Sequence, residues 1–248
     1  MSKSTYSPIV ELRRYTLHEG RRDELIELFD REFVETQEAV GIQVIGQFYD
    51  LDDPNQFVWL RGFNDMSARE QSLNAFYGGP IWKAHRNAAN ATMIDSDNVL
   101  LLRLPHGTRG FSFKDANRPP LYSRAKQDGF VAATIYYFDA PIDTDFIRYF
   151  ENTIKPVLTE AGASILAYFI TEDSPNNYPP LPVREGEYVF VWFAGFASQD
   201  AYKSHLAKLR ESKLWEAEIA QFLKKHLQGK PEVLRLAPTP RSWLTGKV

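Results

Sequence analysis

Three polar side chains near the start of the chain could carry chemistry. Glu11, Arg13 and Tyr15 alternate along a β-rich segment, so in an extended strand they share one face. An acid and a base on one sheet face can hold a carboxylate or orient a polar substrate. We therefore take Glu11 and Arg13 as catalytic candidates and Tyr15 as a ligand-binding candidate. The alternative is an ion pair between strands, or a contact between two sheets.

A second arginine could join this set from a later strand. Arg61 lies two residues after Trp59, on the same face of the strand 57–63. If the first and third strands are neighbours, Arg61 approaches Arg13 or Glu11. Two arginines near one glutamate would suit an anionic ligand. We therefore take Trp59 and Arg61 as ligand-binding candidates. The alternatives are an Arg61 that reaches solvent at the sheet edge and a Trp59 that packs in the core.

His85 is the remaining titratable candidate. It follows Trp82 by three positions, so the two side chains share a helix face, and a histidine there could act as a general base near neutral pH. The alternative is a partly exposed histidine on a helix. Tyr77, which precedes Gly78 and Gly79, could flank a pocket, or it could simply pack.

Several classes of function are disfavoured by composition. The net charge of −3 argues against a protein that binds nucleic acid by neutralising phosphates. The chain has no cysteine, none of its 5 histidines form an i, i+4 pair, and it has no P-loop, G-x-G-x-x-G or G-x-S-x-G motif. We expect no metal and no bound cofactor, although one histidine would suffice to ligate haem.

The sequence also indicates where in the cell to expect the protein. No apolar run approaches the roughly 18 residues of a membrane span. Residues 1–8 lack the apolar stretch of a secretory signal. The basic residues of the last predicted helix are mixed with glutamates, which is typical of a solvated face. We expect a cytoplasmic protein with no membrane role.

The elements that must position these candidates occur twice. Residues 57–63 (FVWLRGF) match residues 190–196 (FVWFAGF) at an offset of 133, from Phe57 to Phe190. Upstream the offset is 121, from Tyr15 to Tyr136. The difference falls in one Pro-rich loop of the second copy, which begins at residue 172 and is typical of a surface connection. Glu11, Arg13 and Arg61 correspond to Ala132, Thr134 and Ala194.

The first copy is predicted as strand, helix, strand, strand, helix, strand. The strands are predicted over residues 9–17, 42–49, 57–63 and 99–104. The first helix should run to Val40 and stop at Gly41. The spacing of Ser67 and Glu70 predicts a capping box, and a break at 78–80 leaves Pro80 as an N1 residue.

The second copy follows the same order. We predict strands over 130–138, 164–171, 187–196 and 232–237, and helices over 144–161 and 199–227. Pro156 should kink its helix, because it removes a backbone donor.

Two ferredoxin-like βαββαβ units in one chain predict an α+β fold. Each antiparallel sheet carries helices on one face, so the two sheets should cover each other as an intrachain dimeric α/β barrel. The predicted domains are 1–105 and 130–248. Residues 106–129 form the linker, which is long enough to serve as a lid or a strap.

The opening residues resemble those of a known family. Residues 11–20 (ELRRYTLHEG) are similar to the E-L-R-x-Y-x-L-x-x-G opening of NIPSNAP domains, and residues 55–59 (NQFVW) and Trp82 fit the same pattern. The resemblance covers residues 9–105 well and is fainter over 130–238. It implies membership of the dimeric α/β-barrel superfamily, which includes cofactor-free monooxygenases, haem-dependent enzymes and isomerases. It implies no settled catalytic assignment.

The leading hypothesis is a NIPSNAP-like protein that binds a small, partly apolar or anionic molecule in its first half. It could transform that molecule without a bound cofactor, so enzymatic activity stays open. The alternative is a non-enzymatic assembly or interaction module. Exposed helices and sheet edges also predict a homodimer.

Overall fold

The computed structural model describes residues 7–112 and 118–246. Residues 1–6, 113–117 and 247–248 lie outside the described residues, and so do the parts of the predicted domains and linker that fall on them.

The first half has four strands and four helices. Strands β1 to β4 are Ile9–Leu17, Gln43–Asp50, Gln56–Phe63 and Met93–Arg103. Helices α1 to α4 are Arg22–Leu28, Val34–Ala39, Met66–Gly78 and Pro80–Asn90, and a π turn, Phe29–Phe33, joins α1 to α2. Gly41 follows α2 with φ of 95°, a left-handed conformation that glycine adopts without strain, as the predicted helix stop requires.

The second half repeats this order. Strands β5 to β8 are Phe130–Phe138, Ser164–Thr171, Tyr188–Phe196 and Glu232–Pro238. Helices α5 to α8 are Thr144–Tyr149, Lys155–Glu160, Gln199–Glu211 and Ala220–His226, with π turns at Phe150–Ile154 and Trp215–Ile219.

The eight strands close into one barrel in the order β1-β3-β2-β8-β5-β7-β6-β4. Each half contributes four consecutive strands in the ferredoxin-like order. The two seams are antiparallel: β2 pairs with β8, and β4 pairs with β6 through Leu102↔Thr171 and Arg103↔Ile170. The predicted fold class, two tandem ferredoxin-like repeats in an intrachain α/β barrel, is confirmed.

Apolar side chains fill the barrel. Val10 and Leu12 of β1 point inward and join inward-facing residues of both halves in one buried cluster. Phe111 of the linker packs into the same interior, with its ring 5.4 Å from Phe169 and 5.1 Å from Phe193. The linker therefore adds to the packed apolar core of the barrel.

The end of the chain returns to the first half. After β8, the Thr239 amide donates to the Gln47 carbonyl at 2.9 Å, and the Leu244 amide donates to the Ile45 carbonyl at 3.0 Å. The segment that follows β8 thus adds backbone hydrogen bonds to β2 beyond the pairing of β2 with β8.

Two predictions about the helices were wrong. The start of α3 is capped by Asp65, whose Oδ1 accepts from the Ala68 amide at 2.7 Å, so Ser67 and Glu70 do not form the capping box. The helix predicted over 199–227 breaks at Ser212, whose extended ψ of 114° ends α7. Ser212 Oγ then accepts from the Trp215 amide at 3.3 Å and caps the next turn.

The kink at Pro156 stays a prediction. The helix irregularity in the second half is the π turn Phe150–Ile154, which ends before the proline. The equivalent π turn Phe29–Phe33 occurs in the first half, where Glu35 takes the place of Pro156. Both copies share the irregularity, so the proline does not cause it.

Each of these two π turns places an acid against the second strand of its half. Gln47 Nε2 donates to Asp30 Oδ1 at 2.6 Å in the first half, and the Tyr168 hydroxyl donates to Glu151 at the equivalent positions. The two bonds fix the helices to the sheet across the irregular turn. Burial raises the pKa of Asp30 to about 6, although Gln47 and Arg241 act in the opposite direction.

The raised pKa of Asp30 predicts a pH dependence. Between pH 3.8 and about 6, the carboxyl group of Asp30 is protonated in the folded protein and ionised in the unfolded chain. Its contribution to stability therefore falls as pH rises through that window. We expect Asp30→Asn, which keeps an acceptor for Gln47, to lose less stability than wild type across the window, as measured by urea unfolding at several pH values. Asp145→Asn, at an exposed site, controls for net charge. Identical pH profiles for Asp30→Asn and wild type would contradict the shift.

Candidate functional site: a buried arginine cluster

The strand register places two of the predicted residues opposite each other. Glu11 of β1 pairs with Arg61 of β3, and Arg13 pairs with Trp59. Because alternate residues share a face, Glu11, Arg13 and Arg61 all lie on the helix side, away from the apolar interior. Arg61 Nε donates to Glu11 Oε2 at 2.7 Å, and Arg13 Nη1 donates to the same oxygen at 2.5 Å.

A third arginine comes down from the helix layer. Asp65 caps α3, and Arg69 follows in the first turns of that helix. Arg69 Nε donates to Glu11 Oε1 at 2.7 Å. One carboxylate therefore holds three guanidinium groups. We call Glu11, Arg13, Arg61 and Arg69 the arginine cluster.

All four members are buried. Their relative exposure is 0% for Glu11, Arg61 and Arg69 and 1% for Arg13. With one carboxylate among three arginines, the cluster carries two positive charges in excess. Buried charges are costly unless other charges or hydrogen bonds compensate them.

The pKa shifts of Glu11 and Arg69 have the directions that this surplus requires, whereas Tyr15 and Glu11 outweigh burial at Arg13 and raise its pKa. Burial alone would raise the pKa of Glu11, but the charges of Arg61, Arg13 and Arg69 outweigh it and hold that pKa well below its usual range. Burial lowers the pKa of Arg69, and the like charges of Arg61 and Arg13 act in the same direction, against the pull of Glu11. Glu11 is thus firmly ionised, while Arg69 lacks full compensation for its charge.

Two donors of the cluster are unused. Within the described part of the chain, Nη2 of Arg61 and Nη2 of Arg69 are buried and have no hydrogen-bond partner. In a guanidinium, Nη2 lies on the same side as Nε, and both Nε atoms here bind Glu11. The unused donors therefore flank the carboxylate. Unsatisfied buried donors are rare in proteins, so each of these two calls for a physical explanation.

Aromatic rings and a segment of the second half surround the cluster. Arg13 Nε donates to the Tyr15 hydroxyl at 3.0 Å, and Arg61 Nη1 donates to the Tyr77 hydroxyl at 3.1 Å. Arg69 Nη1 donates to Oδ1 of Asn176 at 3.0 Å and to Oδ1 of Asn177 at 2.6 Å. The site is therefore built from both copies of the repeat.

The structure brings most of the predicted residues together. The Trp59 ring lies 5.6 Å from the guanidinium carbon of Arg13 and 5.3 Å from that of Arg61. Trp59 also has a counterpart, Trp192, in the second half, so it serves packing as well. His85 lies elsewhere: among the described residues its charged contact is Glu32, with Nε2 3.5 Å from Oε2.

The second half has the same backbone without the charges. Ala132 pairs with Ala194 where Glu11 pairs with Arg61. At the position of Arg69 stands Tyr202, whose ring stacks on Phe130 at 4.8 Å. The apolar version shows that the fold does not need the cluster.

Sequence reasoning missed Arg69, Asn176 and Asn177. The offset of 133 that relates Arg61 to Ala194 also relates Arg69 to Tyr202, so the comparison that selected Arg61 could have selected Arg69. The two asparagines lie in the insertion and have no counterpart to compare.

The described residues suit neither a metal nor a membrane span. No group of three or more His, Asp or Glu among them is placed to hold a metal ion. No helix in the described ranges is both long and apolar enough to cross a bilayer.

Comparison with known proteins identifies the first half. Residues 10–106 match the family model described as NIPSNAP. An uncharacterised NIPSNAP-like domain protein from Burkholderia xenovorans is 28% identical, with a TM-score of 0.38, and the match covers 46% of this chain and 93% of that one. No curated protein matches the chain.

Two solved structures match nearly the whole chain in fold. An anthrone oxidase-like protein has a TM-score of 0.58 at 11% identity, and the match covers 99% of this chain and 98% of that one. A candidate monooxygenase from Fusobacterium nucleatum has a TM-score of 0.56 at 13% identity, with 95% and 94% covered. At these identities the likeness supports the barrel fold alone.

Removing one member of the cluster and replacing all four members should have different effects on the free energy of unfolding. Glu11→Ala leaves three buried arginines without their shared counter-ion, which should cost about 3–5 kcal/mol of unfolding free energy. The four-residue exchange Glu11→Ala, Arg13→Thr, Arg61→Ala and Arg69→Tyr installs the residues of the second copy. It should be about neutral or stabilising by roughly 1–4 kcal/mol, since an apolar replacement removes the burial cost.

Urea unfolding followed by circular dichroism measures both effects. Arg148→Ala, which removes an exposed arginine, is the control for the loss of a positive charge. A loss below about 1 kcal/mol in Glu11→Ala would show that the arginines do not depend on Glu11.

Proposed function

We propose that the arginine cluster of the first half, where residues 10–106 match the NIPSNAP family model, binds a small, partly apolar anion. One observation carries this proposal: two buried arginines direct unused Nη2 donors to the flanks of a carboxylate that cannot neutralise them. An anion supplies both the missing acceptors and the missing charge.

The charge balance favours a doubly charged ligand. Three guanidinium groups and one carboxylate leave two positive charges, which a dicarboxylate would match. The rings of Tyr15, Trp59 and Tyr77 at the cluster provide apolar contact for the rest of the molecule. Ligand sites generally combine an apolar lining with a few placed polar groups.

Glu11 is better suited to positioning than to proton abstraction. A general base works best when its pKa lies near the working pH, whereas the neighbouring arginines outweigh burial and hold the pKa of Glu11 far below that range. Both of its oxygens also accept from arginines. Its role in the proposed site is to fix the directions of the three guanidinium groups.

The assembly alternative finds less support. Its interacting surface would be the charged strand face, and that face is covered by α3 and by the segment that carries Asn176 and Asn177. The contact is within one chain, so the face does not offer itself to a partner.

A melting experiment tests the binding. The probe is phthalate, an aromatic dicarboxylate, and its neutral counterpart phthalamide is the ligand control. At about 100 times its Kd, phthalate should stabilise the wild type by about 2.7 kcal/mol, equivalent to a rise in Tm of roughly 5–10 °C. Phthalamide should leave Tm unchanged.

The variants decide where the probe binds. The four-residue exchange should abolish the shift, while Arg148→Ala should keep it. No shift in the wild type would overturn the proposal, and so would an equal shift in the four-residue exchange.

Homodimer formation and a cytoplasmic location remain proposals from the sequence. For the homodimer, light scattering should give a mass near twice 28.5 kDa. A mass of 28.5 kDa at working concentration would contradict it.

A further inference from the structure

The insertion that distinguishes the two copies lies over the arginine cluster. Residues 172–187, the covering segment, connect β6 to β7 of the second half. Both ends are fixed to β4 of the first half: the Glu172 amide donates to the Leu101 carbonyl, and the Arg184 amide donates to the Val99 carbonyl, each at 2.9 Å. The middle of the segment is therefore held above the first half.

No residue of the covering segment is fully buried, although Tyr178, Leu181 and Val183 pack against the apolar cluster of the first half. Asn176 and Asn177 accept from Arg69, and Asn177 Nδ2 donates to the Met66 carbonyl at 2.5 Å. The Tyr178 ring stacks on the Tyr77 ring at 5.9 Å. Asn176, Asn177 and Tyr178 are all partly exposed. Segments with few buried contacts open at low free-energy cost.

We propose that the covering segment is the entry lid of the cluster, and that the Oδ1 atoms of Asn176 and Asn177 hold on Arg69 the place of two oxygens of a dicarboxylate ligand. This inference rests on the proposed function and adds the route of entry and the residues that control it. The ligand enters when the middle of the segment lifts, and its oxygens then accept from Arg69 Nη1 in place of the asparagines and from the unused Nη2 donors.

The exchange is favourable because of charge. An amide oxygen is neutral, whereas a carboxylate oxygen makes a charge-assisted bond to a guanidinium that is about twice as strong. The asparagines can thus satisfy Arg69 in the empty site without competing strongly once an anion arrives. Unlike an Asp or Glu at these positions, they leave the surplus positive charge available.

The surroundings leave the lid as the route. On the sheet side, the barrel interior is filled by apolar side chains. On the helix side, α3 and its neighbours pack against the sheet in a second buried apolar cluster, and Tyr178, Leu181 and Val183 of the lid form a partly buried edge of it. Tyr178 meets Tyr77, whose hydroxyl accepts from Arg61 Nη1, so opening the lid uncovers the Tyr77 side of that arginine.

Rapid mixing with phthalate tests the lid, with the fluorescence of Trp59 and the other tryptophans as the signal. In the wild type, the observed rate of the fluorescence change should reach a plateau at high phthalate concentration, because opening of the lid then limits the rate. Asn176→Ala with Asn177→Ala removes the competing oxygens. It should raise that plateau and tighten phthalate binding by about tenfold. Tyr178→Ala should raise the plateau as well, because it removes the stacking contact.

The controls separate the lid from the binding proposal. Ser174→Ala changes an exposed side chain of the same segment and should behave as wild type. If phthalate binds the wild type but the double asparagine variant shows unchanged or weaker binding and an unchanged plateau, the lid is overturned while the proposed function stands. If phthalate binds neither protein, the proposed function itself fails. Inorganic phosphate that binds in place of phthalate would overturn the dicarboxylate class.

Discussion

The site depends on the carboxylate of Glu11, which forms ion pairs with three arginines. It joins β1, β3 and α3, because one arginine from each element donates to it. Without it, three like charges would meet in a space from which water is excluded. With it, their directions are fixed and two donors stay unused. The same group therefore makes the burial of the arginines tolerable and leaves them incompletely neutralised.

The barrel explains why this chemistry lies between sheet and helices. Closure of the eight strands turns one face of every strand toward an interior that apolar residues fill. The buried polar residues Glu11 and Arg13 of β1 then lie on the outer face, under the helices, whereas Arg14 on the inner face is only partly buried and pairs with Glu232. The strand register sets Glu11 opposite Arg61, and the cap at Asp65 begins the helix that carries Arg69.

Most of the fold could be predicted because the chain contains two copies of one pattern. The periodicity of each copy gave the strands, and the offset between copies separated shared core residues such as Trp59 from residues found once, such as Glu11 and Arg61. The closure at β2–β8 and β4–β6 depends on contacts between distant segments, which periodicity does not encode. The capping residue of α3 was mistaken because Ser67 with Glu70 imitates a capping box, while Asp65 is followed by no such pair. The pairing of His85 with Glu32 joins two helices, so spacing along one helix could not reveal it.

A symmetric dimer of identical subunits could not reach this arrangement by the same route. Any substitution in such an assembly appears twice, so two charged sites and two long insertions would have to be accommodated together. Joining the repeats in one polypeptide removes that coupling. One copy can retain its arginines while the other extends the loop that lies over them, and each barrel then has a single site formed by two specialised halves.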